Sequence, residues 1–104
     1  MQRDLDLVRR ILLRAEQSDD YTLRCSDLVD QNHDERSVAA HAYLMREGGL
    51  IDANLLTVER RGAQSGIIER LTWHGHEFLE AVRNDTVWAK TKQLVAEKGA
   101  GATL

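Results

Sequence analysis

Hydrophobic positions along this 104-residue chain fall first at helical spacing, then in alternation, then at helical spacing again. Over residues 4–16, Leu5, Val8, Ile11, Leu12 and Ala15 recur every three or four positions and make one apolar helix face. Asp4 suits the cap of that helix, and Arg9, Arg10 and Arg14 are expected towards water. SDD at 18–20 ends it, and YTLRC at 21–25 alternates like a short strand. Residues 26–33 hold few apolar side chains and predict no more than a short turn of helix. Asp34 is placed to cap a helix over 35–47, which Gly48 and Gly49 stop before Leu50 and Ile51 return to the core. LLTVE at 55–59 and IIERLT at 67–72 predict two strands joined by RRGAQSG. A helix starting at Thr72 or Trp73 carries Phe78, Leu79 and Val82. Asp85 is expected to cap a last helix to residue 98, with Val87, Trp88, Thr91, Leu94 and Val95 on one side. Residues 99–104, GAGATL, are predicted to be a disordered tail.

This order is helix, Gly stop, strand, Gly-rich tip bearing two arginines, strand and helix. It predicts an α+β chain, winged helix-turn-helix-like, with a small antiparallel wing sheet and an extra C-terminal helix in a single domain over 1–98. Such a scaffold presents one helix to the major groove and the wing to flanking phosphates. On that pattern the nucleic-acid-binding candidates are Arg36, Tyr43 and Arg46 on the 35–47 helix, and Arg60 and Arg61 at the wing. At about 100° per residue, Val38, Ala42 and Met45 share one helix face with His41 beside them. Arg36, Ala40 and Glu47 lie opposite, flanked by Tyr43 and Leu44. That outward face offers few of the Arg, Lys, Asn and Gln side chains that read base edges, and it also suits a protein partner.

Charge sharpens the question. The formal net charge is −3. Residues 16–35 carry Glu16, Asp19, Asp20, Asp27, Asp30, Asp34 and Glu35 against Arg24, immediately before the helix expected to read DNA. Phosphate binding normally concentrates bases instead. The helix preceding 35–47 is expected to be short or missing, which would present the reading helix less deeply.

The chemistry of sites contributes little. His74 and His76 are two apart, about 200° around a helix, and cannot chelate one ion there. Gly48–Gly49 and Gly62 to Gly66 match neither the Walker pattern nor the dinucleotide fingerprint. No nucleophile motif accompanies the serines, so no enzyme, metal or cofactor is expected. The lone Cys25 excludes an internal disulfide and reads as a buried hydrophobe in a reducing cytoplasm. Trp73 and Trp88 read as core or interface anchors for the last two helices. No apolar run approaches the roughly 18–20 residues that span a bilayer.

RDLDLVRRILL at 3–13, YLMREGGLI at 43–51 and LTWHGHEFLEAVRNDTVWAKTK at 71–92 resemble a family of small uncharacterised bacterial and prophage proteins. The resemblance covers most of the chain, with residues 52–70 matching only in general character. It implies a winged-helix-like cytoplasmic domain and carries no functional residues.

Two functions follow as expectations. One is a transcriptional or accessory regulator binding double-stranded DNA, dimeric if the last helix pairs with a second copy. The alternative is an interaction module that keeps the scaffold and binds a host or phage protein. Salt-dependent duplex binding distinguishes them.

Overall fold

Asp4 accepts hydrogen bonds from the amides of Asp6 and Leu7 at 2.9 and 3.3 Å, and helix α1 (Leu5–Gln17) starts there. A cap of this kind contributes about 1 kcal/mol. The computed structural model describes residues 1–102. After α1 come a two-residue strand β1 (Leu23–Arg24), a single 3-10 turn (Cys25–Leu28) and helix α2 (Glu35–Glu47). Strands β2 (Ile51–Val58) and β3 (Gly62–Leu71) form a hairpin, followed by helices α3 (Trp73–Val82) and α4 (Asp85–Ala102). The fold is α+β, with four helices and one three-stranded antiparallel sheet of order β1-β3-β2.

The strands depart from the expected boundaries for physical reasons. Tyr21 sits at φ 68°, in the left-handed region, so the strand foreseen over 21–25 begins only at Leu23. It ends at Arg24 because Cys25 opens the 3-10 turn, where the Asp27 carboxylate accepts from the Arg24 amide at 2.9 Å. β2 and β3 start four and five residues earlier than the apolar pattern predicts, since DAN at 52–54 pairs with Arg70, Ile68 and Ile67 while Gly-rich GAQSG pairs with Leu55 to Val58. Glu69 and Gln64 are left over where the register shifts, so β3 bulges twice and twists the hairpin. Gly66 is required in this ladder: a Cβ there would meet the Asn54 carbonyl oxygen at 2.3 Å.

The apolar face of α1 (Leu7, Val8, Ile11, Leu12) packs with Val38, Ala39, Ala42 and Met45 of α2 over Ile51, Ala53, Ile68 and Leu71 of the sheet. Leu79 of α3 closes the core. Each Leu or Ile so buried contributes about 1.5–3 kcal/mol. Cys25 is buried as expected, and burial, with Glu35 nearby, pushes its thiol up to about 11. α3 starts on Thr72, whose hydroxyl oxygen accepts from the Gly75 amide at 3.0 Å. That turn lies directly on the backbone of Leu50.

Several expected surface residues are staples instead. Arg9 donates to the carbonyls of Val82 and Arg83 and to Asp85, and its guanidinium lies 5.6 Å from the Trp88 ring. Arg10 donates to the Leu28 carbonyl and pairs with Asp30 at 2.8 Å. Asn84, not Asp85, caps α4, accepting from the amides of Thr86 and Val87.

The two tryptophans separate. Trp88 is 4% exposed and donates to Asp6 at 2.8 Å, whereas Trp73 is 75% exposed and reaches only Glu77. Of the stripe expected on α4, Val87, Leu94 and Val95 remain exposed because the helix meets the body chiefly through Trp88 and Lys92. The tail foreseen over 99–104 falls partly on the end of α4, and residues 103–104 lie outside the described residues.

Candidate nucleic-acid interface

α2 buries Val38, Ala39, His41, Ala42 and Met45 and turns its other face towards the β2–β3 hairpin. Asp34 fixes its start by accepting from the Ser37 amide at 2.8 Å. The hairpin outruns the core, for beyond Asn54 no residue of β2 is buried. Between the two elements lies an open groove of about 910 Å³. It is lined by Arg36, Tyr43, Arg46 and Arg61, by Ala40, Leu44, Thr57 and Ala63, and by Met1, Ser37, Gly62 and the carboxylate of Asp34.

Four of the five residues singled out from sequence therefore share one concavity. Arg36 donates to the Arg61 carbonyl at 3.4 Å, which ties the start of α2 to the hairpin. Arg46 donates to the Ala53 carbonyl at 3.3 Å, and its guanidinium lies 5.2 Å from the centre of the Tyr43 ring. The fifth, Arg60, stands at the exposed turn beside the groove rather than in its lining. That turn is closed by the Arg61 amide donating to the Val58 carbonyl at 2.9 Å, with Arg60 at φ 68°. A non-glycine residue held left-handed costs on the order of 1 kcal/mol.

The charge on this face is uncommitted. Arg9, Arg10, Arg70, Arg83 and Lys92 are all in ion pairs, whereas none of Arg36, Arg46, Arg60 and Arg61 is, among the described residues. Much of the acidic 16–35 segment is engaged in caps and pairs. Asp27 accepts from the Arg24 amide, Asp30 from Asn32 and His33, and Asp34 from Ser37. Glu16 is held by both terminal nitrogens of Arg83, at 2.9 and 2.5 Å. The sequence alone gave no sign of the lining residues Thr57 and Ala63, which reach the groove only through the length of the hairpin.

A serine, a histidine and a carboxylate also meet beside the groove. His33 Nδ1 lies 2.7 Å from the Ser37 hydroxyl and its Nε2 lies 2.8 Å from Asp4. The Ser37 amide, which would have to receive an oxyanion, already donates to Asp34. The trio ties α1 to α2. Among the described residues, no group of three His, Cys, Asp or Glu side chains is placed to hold a metal ion.

A family model described as "Hypothetical protein (DUF2513)" matches residues 2–101. The chain belongs to this family. The match runs from before α1 into the last turn of α4, so it takes in the helices, the sheet and the groove together. An "Uncharacterized protein" of Haemophilus influenzae (strain ATCC 51907 / DSM 11121 / KW20 / Rd) is 37% identical over 106 residues, covering 100% of this chain and 86% of that relative. No solved structure matches the chain. No helix among the described residues is long and apolar enough to cross a membrane.

Proposed function

We propose that this chain is a DNA-binding transcriptional or accessory regulator of the cytoplasm, built on a winged-helix-like scaffold. In this reading α2 is the reading helix, the β2–β3 hairpin is the wing, and the 3-10 turn stands where a full supporting helix would be. The observation that carries it is the groove between α2 and the hairpin, lined by three arginines without ion pairs among the described residues against the single carboxylate of Asp34. Guanidinium groups on opposite walls suit a phosphate backbone running between them. Arg60 at the tip is free to reach a flanking phosphate or a narrow minor groove.

Fluorescence anisotropy against duplex fragments of the source genome, at about 50 and 200 mM salt, tests this reading. Binding that weakens steeply with salt and persists for a subset of fragments supports a regulator and supplies its site. Absence of binding at low salt removes the reading.

The second reading is a protein-binding module, with the last helix as a route to a homodimer. Exposed Tyr43 on α2 favours it, because aromatic side chains enrich protein interfaces, and Leu44, Leu56 and Val58 add exposed apolar area on α2 and the hairpin. Under it the chain binds no duplex, and Tyr43→Ala weakens a complex with a host or phage protein.

A further inference from the structure

The segment 71–92 contains the most exposed aromatic side chain of the molecule, and duplex binding at the groove uses none of it. Trp73, the first residue of α3, is 75% exposed although it is one of only two tryptophans. An exposed indole offers a large apolar area with one polar N–H, the kind of side chain enriched at interfaces. The ring is also held: its Nε1–H donates to the carboxylate of Glu77, one helical turn on. A fixed ring loses little freedom on binding, which favours it as an anchor.

Beside the ring is a recess of about 260 Å³ lined by Glu16, Trp73, His76, Glu77 and Glu80. The helical spacing Trp73, His76, Glu77, Glu80 sets these side chains on one face of α3, and Glu16 of α1 closes the far side. Arg83 holds Glu16 by two bonds and reaches Glu80 at 3.3 Å, so one cation serves two of the three carboxylates and Glu77 has no ion pair. The surplus is negative and borders an aromatic face. That combination attracts a cation through the ring quadrupole and through the carboxylates together. It repels a phosphate backbone, so the occupant differs in kind from anything the arginine groove would take.

We propose that Trp73, Glu77 and Glu80 form a docking site for a basic segment of a partner protein, with an arginine or lysine side chain seated against the indole. The recess has room for about one such side chain, and the charge is complementary. With duplex bound at the groove, this surface would give the chain a second partner class, as an accessory regulator requires.

The test uses the full-length protein and two synthetic peptides, Ac-(Gly-Arg)4-amide and Ac-(Gly-Glu)4-amide. The two indole N–H signals are followed by NMR, with Trp73→Phe assigning them. The arginine peptide should move the Trp73 signal saturably and leave the buried Trp88 signal in place, and the glutamate peptide should move neither. Trp73→Ala, and separately Glu77→Gln with Glu80→Gln, should weaken binding about tenfold, the change expected for losing one desolvated cation–aromatic contact. Asp19→Asn, which removes an acid elsewhere, should weaken it less than twofold. The proposal is overturned if the Trp73 signal does not move. It is also overturned if Trp73→Ala binds like Asp19→Asn, if duplex DNA moves the same signal, or if Trp73→Ala abolishes a self-association that sedimentation detects without peptide.

Discussion

His41, 1% exposed within α2, accepts a hydrogen bond at Nε2 from the backbone amide of Asp4 at 2.9 Å. Its Nδ1 donates to the Ser37 carbonyl at 2.7 Å, so both ring nitrogens are used. The start of α1 thus hangs from the middle of α2. Replacing His41 by Leu keeps most of the volume but leaves the Asp4 amide without its acceptor. We expect a loss of about 2–3 kcal/mol, read as a lower urea midpoint with an unchanged slope. A loss below about 0.5 kcal/mol would mean that water replaces the ring.

Four carboxylates are held below their ordinary range by named partners. His33 leads at Asp4, Lys92 at Asp6 with the Trp88 indole, Arg83 at Glu16, and the Asn32 amide at Asp30. A group whose folded value is depressed contributes stability that is fully present above its unfolded value and is lost as pH falls through the folded one. Thermal midpoints should therefore hold level from these groups above roughly pH 5 and fall below about pH 4. Asp4→Asn should flatten part of that fall. An equally steep fall in the variant would count against Asp4.

At Gly75 a Cβ would come within 2.0 Å of the Leu50 carbonyl oxygen, which is backbone and cannot step aside. Alanine ordinarily favours a helix interior over glycine by about 1 kcal/mol. Here Gly75→Ala should instead destabilise by about 3 kcal/mol, because α3 must lift off the sheet. Denaturant melts decide the sign.

Strain and charge separate at Arg60. Arg60→Gly relieves the left-handed turn and should raise stability by about 0.5–1 kcal/mol. The same change should lower duplex affinity and reduce the salt slope by about one. Arg36→Glu with Arg61→Glu should abolish duplex binding with little change in melting temperature. Unchanged anisotropy in both variants would refute the groove as the binding face.

The helices were legible because their signals are local. Asp34 caps where the sequence places it, α3 starts at Trp73, one of the two starts foreseen, and α2 spans the residues foreseen, stopped by Gly48 and Gly49. The sheet was less so, since Gly-rich GAQSG becomes strand only by pairing with Leu55 to Val58. Arg9 and Arg10 looked solvent-facing because their acceptors lie on other elements, at Val82 and Leu28. Trp73, expected as a core or interface anchor, stays out of the core because its helical phase is opposite that of Leu79 and Val82, on the face of His76, Glu77 and Glu80. The candidate residues on α2 and the wing came from chain order. Their meeting in one groove depends on how far β2 and β3 project past the core.

The first helix is fastened to the last part of the chain. Arg9 reaches residues 82, 83 and 85, and Asp6 receives Trp88 and Lys92, partners more than 70 positions away. During synthesis α1 leaves the ribosome first, yet these fastenings cannot form until residues 82–92 have followed it out. The nascent helix can bury its apolar face on α2 and the sheet before then, so a stop codon before residue 82 would leave the core begun but its polar rim unfastened.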